Sequence, residues 1–162
     1  MMKRFLTRVV VLLGLAVLSP AASFALVPTV SLLGGLNQTV SATGNSGYTL
    51  GADLALPMGI MTQLTVGGMY LSRHFDGGYT AGYIKIPAVL RFGLGSMANL
   101  GVGGFYEASM DSLNSSNYGV RGSLRVKFVP TSFFVEANYD YRLNSPAGGF
   151  KDVQALIGWS LL

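Results

Sequence analysis

Between Tyr83 and Phe92 the chain reads Tyr-Ile-Lys-Ile-Pro-Ala-Val-Leu-Arg-Phe, and its apolar and charged residues fall on opposite parities. Successive side chains of a β-strand point to opposite faces. Ile84, Ile86, Ala88, Leu90 and Phe92 therefore share one face, and Tyr83, Lys85, Val89 and Arg91 share the other. The same alternation returns in segment after segment. Such a chain folds into a sheet whose two faces meet different solvents. Which face is turned outward decides what the protein can do.

The first residues follow another pattern. Lys3, Arg4 and Arg8 precede the apolar run from Val9 to Leu18, and Ser23-Phe24-Ala25 supplies a small-x-small site. This is the pattern of a secretory signal peptide, with cleavage expected after Ala25. The apolar run is too short for a spanning helix, which needs about 20 residues. The chain accordingly divides into a signal peptide, 1–25, and a single domain, 26–162. The net charge of +4 includes the three leader cations; without them, eight Lys and Arg stand against seven Asp and Glu. Basic runs and reader motifs are lacking, so no nucleic-acid partner is expected. The absence of cysteine excludes disulfides and thiolate chemistry.

Turn chemistry separates eight predicted strands, at about 27–37, 47–56, 61–73, 80–92, 98–109, 117–128, 132–143 and 151–162. Their lengths suit tilted membrane-spanning strands better than the roughly five or six residues of an average soluble strand. The connections alternate. Gln38–Ser46, His74–Tyr79, Met110–Ser116 and Asn144–Phe150 are long, whereas Pro57–Ile60, Gly93–Met97 and Val129–Thr131 are short. That rhythm predicts an all-β fold: an eight-stranded antiparallel up-and-down transmembrane β-barrel.

One strand face gathers five acids, Asp53, Glu107, Glu136, Asp140 and Asp152, with seven bases, Arg73, Lys85, Arg91, Arg121, Arg125, Lys127 and Arg142. Among the charges beyond the leader, only Asp76, Asp111 and Lys151 fall elsewhere. Charges held mid-strand, with loops of Ser, Asn, Gly and Thr, predict a closed lumen in which acids and bases pair. An unpaired buried charge costs several kcal/mol. The opposite face carries Tyr48, Tyr70, Tyr118, Tyr139 and Tyr141 toward the long loops and Phe92, Phe128, Phe133 and Trp159 toward the short turns. Two aromatic rims around an apolar band are what the two interfaces of a bilayer select.

Three segments carry a family likeness: Tyr83–Phe92 with its aromatic-Ile-x-Ile-Pro core, Phe134-Val135-Glu136-Ala137-Asn138-Tyr139, and Val153-Gln154-Ala155-Leu156-Ile157-Gly158-Trp159. In these the chain resembles the bacterial outer-membrane β-barrel domain family, the small porin-like barrels of Gram-negative bacteria. The resemblance implies residence in the outer membrane, contact with outer-membrane lipids, and handling by the barrel-assembly machinery during biogenesis. Pro87 inside a strand requires a bulge or a locally unpaired position.

Catalytic chemistry finds little support. The single histidine, His74, is flanked by Arg73 and Phe75, with no nearby serine in a base–nucleophile pattern. Glu107, Glu136 and Asp140 could form a carboxylate or cation site, but seven bases on the same face favour salt bridges. Gly34-Gly35, Gly67-Gly68 and Gly101–Gly104 precede no helix and match no phosphate loop. No catalytic, cofactor-binding or metal-binding residue is predicted. The expectation is a non-enzymatic outer-membrane barrel, structural, surface-exposed or a narrow channel. The alternatives are a soluble exported lipocalin-like barrel with its apolar face inward and a lipid A-modifying enzyme using His74.

Overall fold

The computed structural model describes residues 27–40, 45–75, 77–111, 116–129, 131–144 and 150–161. The leader expected at 1–25 lies outside the described residues. Eight antiparallel strands, β1 (Thr29–Thr39), β2 (Ser46–Pro57), β3 (Thr62–His74), β4 (Thr80–Leu94), β5 (Ala98–Ser109), β6 (Ser116–Lys127), β7 (Phe133–Arg142) and β8 (Lys151–Ser160), form one closed barrel. Every expected strand is present, and no end moves by more than two residues.

Neighbours along the chain pair in order, and β1 closes on β8. The paired residues run from Thr29 through Ala55, Thr65, Val89, Gly103, Arg121, Asp140 and Asp152, then return to β1 at Thr39 rather than Thr29. A stagger of this size tilts the strands about 40° from the barrel axis, given ordinary strand rise and spacing. Eight strands at that tilt enclose a space that side chains can fill.

The turns follow from local chemistry. Leu94 pairs with Ala98 across a three-residue turn in which Gly95 takes φ 77°, a conformation that costs a glycine least. Pro87 faces inward and pairs in register with Phe105 on β5. Toward β3 the ladder runs Met69↔Lys85, then resumes at Val66↔Ala88, skipping Gly67 and Gly68 without changing register. The proline is thus accommodated by a local gap in pairing, and no residue is inserted.

Side-chain parity sorts the barrel wall. Leu32, Leu50, Ile84, Val102, Leu124, Val135 and Ile157 are exposed on the outer surface, while the charged set faces in. The soluble-barrel alternative needs the reverse orientation, and the structure does not provide it. The interior also holds apolar side chains. Leu33, Met69, Leu71, Phe134 and Leu156 form a buried cluster with Tyr83 packed against it.

Two inward phenylalanines are seated over glycines directly across the ladder. Phe134 pairs with Gly158, where an added Cβ would lie 2.1 Å from the ring. Phe105 pairs with Gly119, where a Cβ would lie 2.8 Å from the ring. In a narrow barrel a large ring needs its partner to be small. Gly158→Ala is therefore predicted to destabilise the barrel by about 1–3 kcal/mol through overpacking. Equilibrium urea unfolding checks this, and pairing Gly158→Ala with Phe134→Leu should restore part of the loss.

Candidate functional site

The candidate site is the lumen itself. Of the twelve charges expected on the inner face, Asp53, Arg73, Lys85, Arg91, Glu107, Arg121, Arg125, Glu136, Asp140, Arg142 and Asp152 are buried inside the barrel. They form two ionic groups at different heights.

The group nearer the long loops centres on Glu107 and Asp152. Arg73 donates both terminal nitrogens to Glu107, at 2.9 and 2.8 Å, and reaches Asp152 at 2.7 Å. Arg142 Nη2 lies 3.2 Å from Glu107 and 2.8 Å from Asp152. Lys85 links this group to its neighbours, with Nζ 3.0 Å from Glu107 and 2.8 Å from Asp140. Arg121 grips Asp140 through Nε at 2.6 Å and Nη2 at 2.7 Å, and Nη2 also donates to Gln154 Oε1 at 2.9 Å. Bidentate guanidinium–carboxylate contacts of this kind combine charge with fixed geometry.

The second group lies nearer the short turns. Glu136 accepts from Arg91 at 2.9 Å and from Arg125 Nε at 2.7 Å, and Arg125 also binds Asp53. Arg91 is fully engaged: Nε donates to Thr65 Oγ1 at 3.1 Å and Nη1 to Ser123 Oγ at 3.0 Å. Gly101 beside it has no room for a Cβ, which would come within 2.6 Å of Val89 and 2.4 Å of Ser123.

Aromatic rings also pack against several of the cations. Lys85 Nζ sits 4.5 Å from the Phe105 ring centroid, and the Arg125 guanidinium sits 4.1 Å from that of Phe134. Each of these rings thus packs against both a glycine on the neighbouring strand and a cation. The sequence reading did not single out Phe134 or Leu156 as lumenal. Parity with Glu136 and Gln154 was the available signal.

Lys127 departs from the expectation of a twelve-member network. It is half-buried at the last residue of β6, and it makes no ion pair among the described residues. Its place at the strand end explains this, because the side chain stands at the short-turn opening and not in the packed centre.

The expected rim aromatics face outward at both ends. Tyr48, Tyr70, Tyr118 and Tyr139 are exposed near the long loops, and Phe92, Phe128, Phe133 and Trp159 near the short turns. Tyr141 is only half-exposed. Tyr48 and Tyr70 lie 6.1 Å apart, and Phe133 stacks on Trp159 at 5.7 Å.

Among the described residues, no catalytic geometry is assembled around His74. Its ring is exposed, and its hydrogen-bond partner among the described residues is Thr80 Oγ1, at 3.2 and 3.3 Å. Glu107, Glu136 and Asp140 are each occupied by two or more cations rather than grouped as ligands. Among the described residues, no cluster of three potential metal ligands occurs.

No family model matches the chain, and no curated protein matches it. Solved structures do. A de novo designed transmembrane β-barrel superposes with a TM-score of 0.58 at 13% identity, covering 82% of this chain and 95% of the design. Ail, the attachment invasion locus protein of Yersinia pestis, gives 0.51 at 14% identity, with 82% of this chain and 95% of Ail covered. The outer membrane enzyme PagL gives 0.50 at 15% identity, over 82% of this chain and 99% of PagL. These likenesses establish the fold, that of eight-stranded outer-membrane barrels.

Breaking the ionic centre should be costly. Glu107→Gln leaves Arg73, Lys85 and Arg142 without their shared carboxylate, and a loss of about 3–5 kcal/mol is predicted. Asp111→Asn, in an exposed position, should stay within about 0.5 kcal/mol of the parent. Denaturant titration of both variants in detergent measures the difference.

Proposed function

We propose that this chain, which has the fold of eight-stranded outer-membrane barrels, is a non-enzymatic integral protein of a Gram-negative outer membrane. One observation carries the reading: the barrel is apolar outside and ionic inside. The outer wall exposes leucine, isoleucine, valine and aromatic side chains around its circumference. Monomeric soluble proteins rarely expose an apolar patch beyond a few hundred Å². Acyl chains solvate such a wall, and the two aromatic rims sit at headgroup level. Closure of β1 on β8 removes the free strand edge that hydrocarbon cannot tolerate.

The lumen supports a mainly structural role. Two ionic groups, the apolar cluster and the inward phenylalanines occupy the space that a diffusion pore would need. The protein is thus a rigid, plugged stave cylinder whose long loops face the exterior and set its encounters. Outer-membrane lipids are its surroundings, and the barrel-assembly machinery is its partner during biogenesis. Among the described residues, no nucleophile and base are assembled around His74, which favours this reading over a lipid-modifying enzyme.

Leu124 lies on β6 between the rim residues Tyr118 and Phe128 and faces outward. Leu124→Arg is predicted to cost about 2–4 kcal/mol of folding free energy in bilayers, and Leu94→Arg at the short-turn rim about 0–1 kcal/mol. Vesicle-based unfolding measures both. Equal effects at the two sites, or recovery of the parent protein in a detergent-free soluble fraction, would contradict the proposal.

A further inference from the structure

The end of the barrel that carries the long loops opens into a cavity of about 240 Å³. Arg73 and Arg142 line it from below, and Phe75, Tyr83 and Phe150 supply aromatic walls. The Arg73 guanidinium stacks 4.5 Å from the Tyr83 ring, and that of Arg142 lies 5.5 Å from the Phe150 ring. Both arginines are fixed in place by Glu107 and Asp152, so their positions do not depend on a ligand.

The charge beneath this cavity is not balanced within the ionic network. Among the described residues, the connected group beneath contains four cations, Arg73, Lys85, Arg121 and Arg142, against three carboxylates, Glu107, Asp140 and Asp152. A buried excess of positive charge beneath two lining arginines attracts an oxyanion. The aromatic walls suit the flat or apolar face of an organic group. The volume equals that of about eight waters, which limits the occupant to a small molecule.

We infer that this mouth cavity binds a small soluble organic oxyanion, a phosphate or sulfate ester no larger than about a phosphorylated monosaccharide. The anionic group meets Arg73 and Arg142, and its organic part lies against Tyr83 and Phe150. The source is soluble rather than a lipid headgroup, because Arg73, Tyr83 and Arg142 project inside the barrel wall and lipids remain outside it. The oxyanion site requires the closed barrel and its ionic interior; only the choice of a soluble source over a lipid headgroup rests on the membrane reading.

Calorimetric titration of the folded full-length protein in a neutral-headgroup detergent tests it, with phenyl phosphate as probe and phenyl β-glucoside as its uncharged counterpart. Phenyl phosphate should bind saturably and at least tenfold more tightly than the glucoside. Arg142→Gln should weaken it about tenfold, and Arg142→Lys should recover part of the loss. Two variants away from the ionic centre, Asn117→Asp at the cavity edge and Phe150→Ala in its wall, should each weaken it several-fold while the heat-modifiable gel mobility stays unchanged. Lack of saturable binding, equal affinity for the glucoside, undiminished binding by Asn117→Asp and Phe150→Ala, or displacement by added anionic lipid would each overturn the inference.

Discussion

The structure depends on carboxylates shared between cations inside a closed wall. Glu107 serves Arg73, Lys85 and Arg142; Asp140 serves Lys85 and Arg121; Glu136 serves Arg91 and Arg125. Lumenal charges carry a desolvation cost that only good geometry and multiple hydrogen bonds offset. Sharing achieves this across strands far apart in sequence. Arg73 on β3 meets Glu107 on β5 and Asp152 on β8, so one side chain braces three staves. The ionic core therefore does for this barrel what a hydrophobic core does for a soluble domain.

Packing the large side chains around that network sets the pattern of small residues. Phe105 and Phe134 lie over Gly119 and Gly158, and each ring also carries a cation. Gly101 leaves room for Arg91 and Val89. Gly101, Gly119 and Gly158 on the inner face thus leave room for specific bulky neighbours, which a barrel only eight strands wide requires. The interior is a jigsaw of rings, ions and gaps, and this is the reason a wide aqueous path does not fit within it.

Much of the architecture could be read from the chain. Alternation across 83–92 and its counterparts locates the strands, and the long-short rhythm of connections identifies the hairpin order. Parity assigns Arg73, Lys85, Glu107 and Asp140 to one face. Parity cannot say which charges meet, because height in the barrel depends on register and stagger. Thr29 and Thr39 lie on the same winding path only because the sheet closes with an offset. Lys127 shares the parity of Arg125 but stands at the strand end, where pairing is not enforced. The mouth cavity was not legible at all, since it joins residues from β1, β3, β4, β6 and β7 with the Phe75 and Phe150 loops.

The inside-out arrangement can be measured directly, and the lack of native cysteine makes the experiment clean. Single cysteines placed one at a time from Tyr118 to Val126 can carry a spin label in reconstituted bilayers. Collision with oxygen, which concentrates in the hydrocarbon, is then read at each position. The account predicts a period of two, with high accessibility at Val120, Gly122, Leu124 and Val126 and low accessibility at Arg121, Ser123 and Arg125. Maxima at the odd-numbered positions, or a profile without alternation, would contradict it.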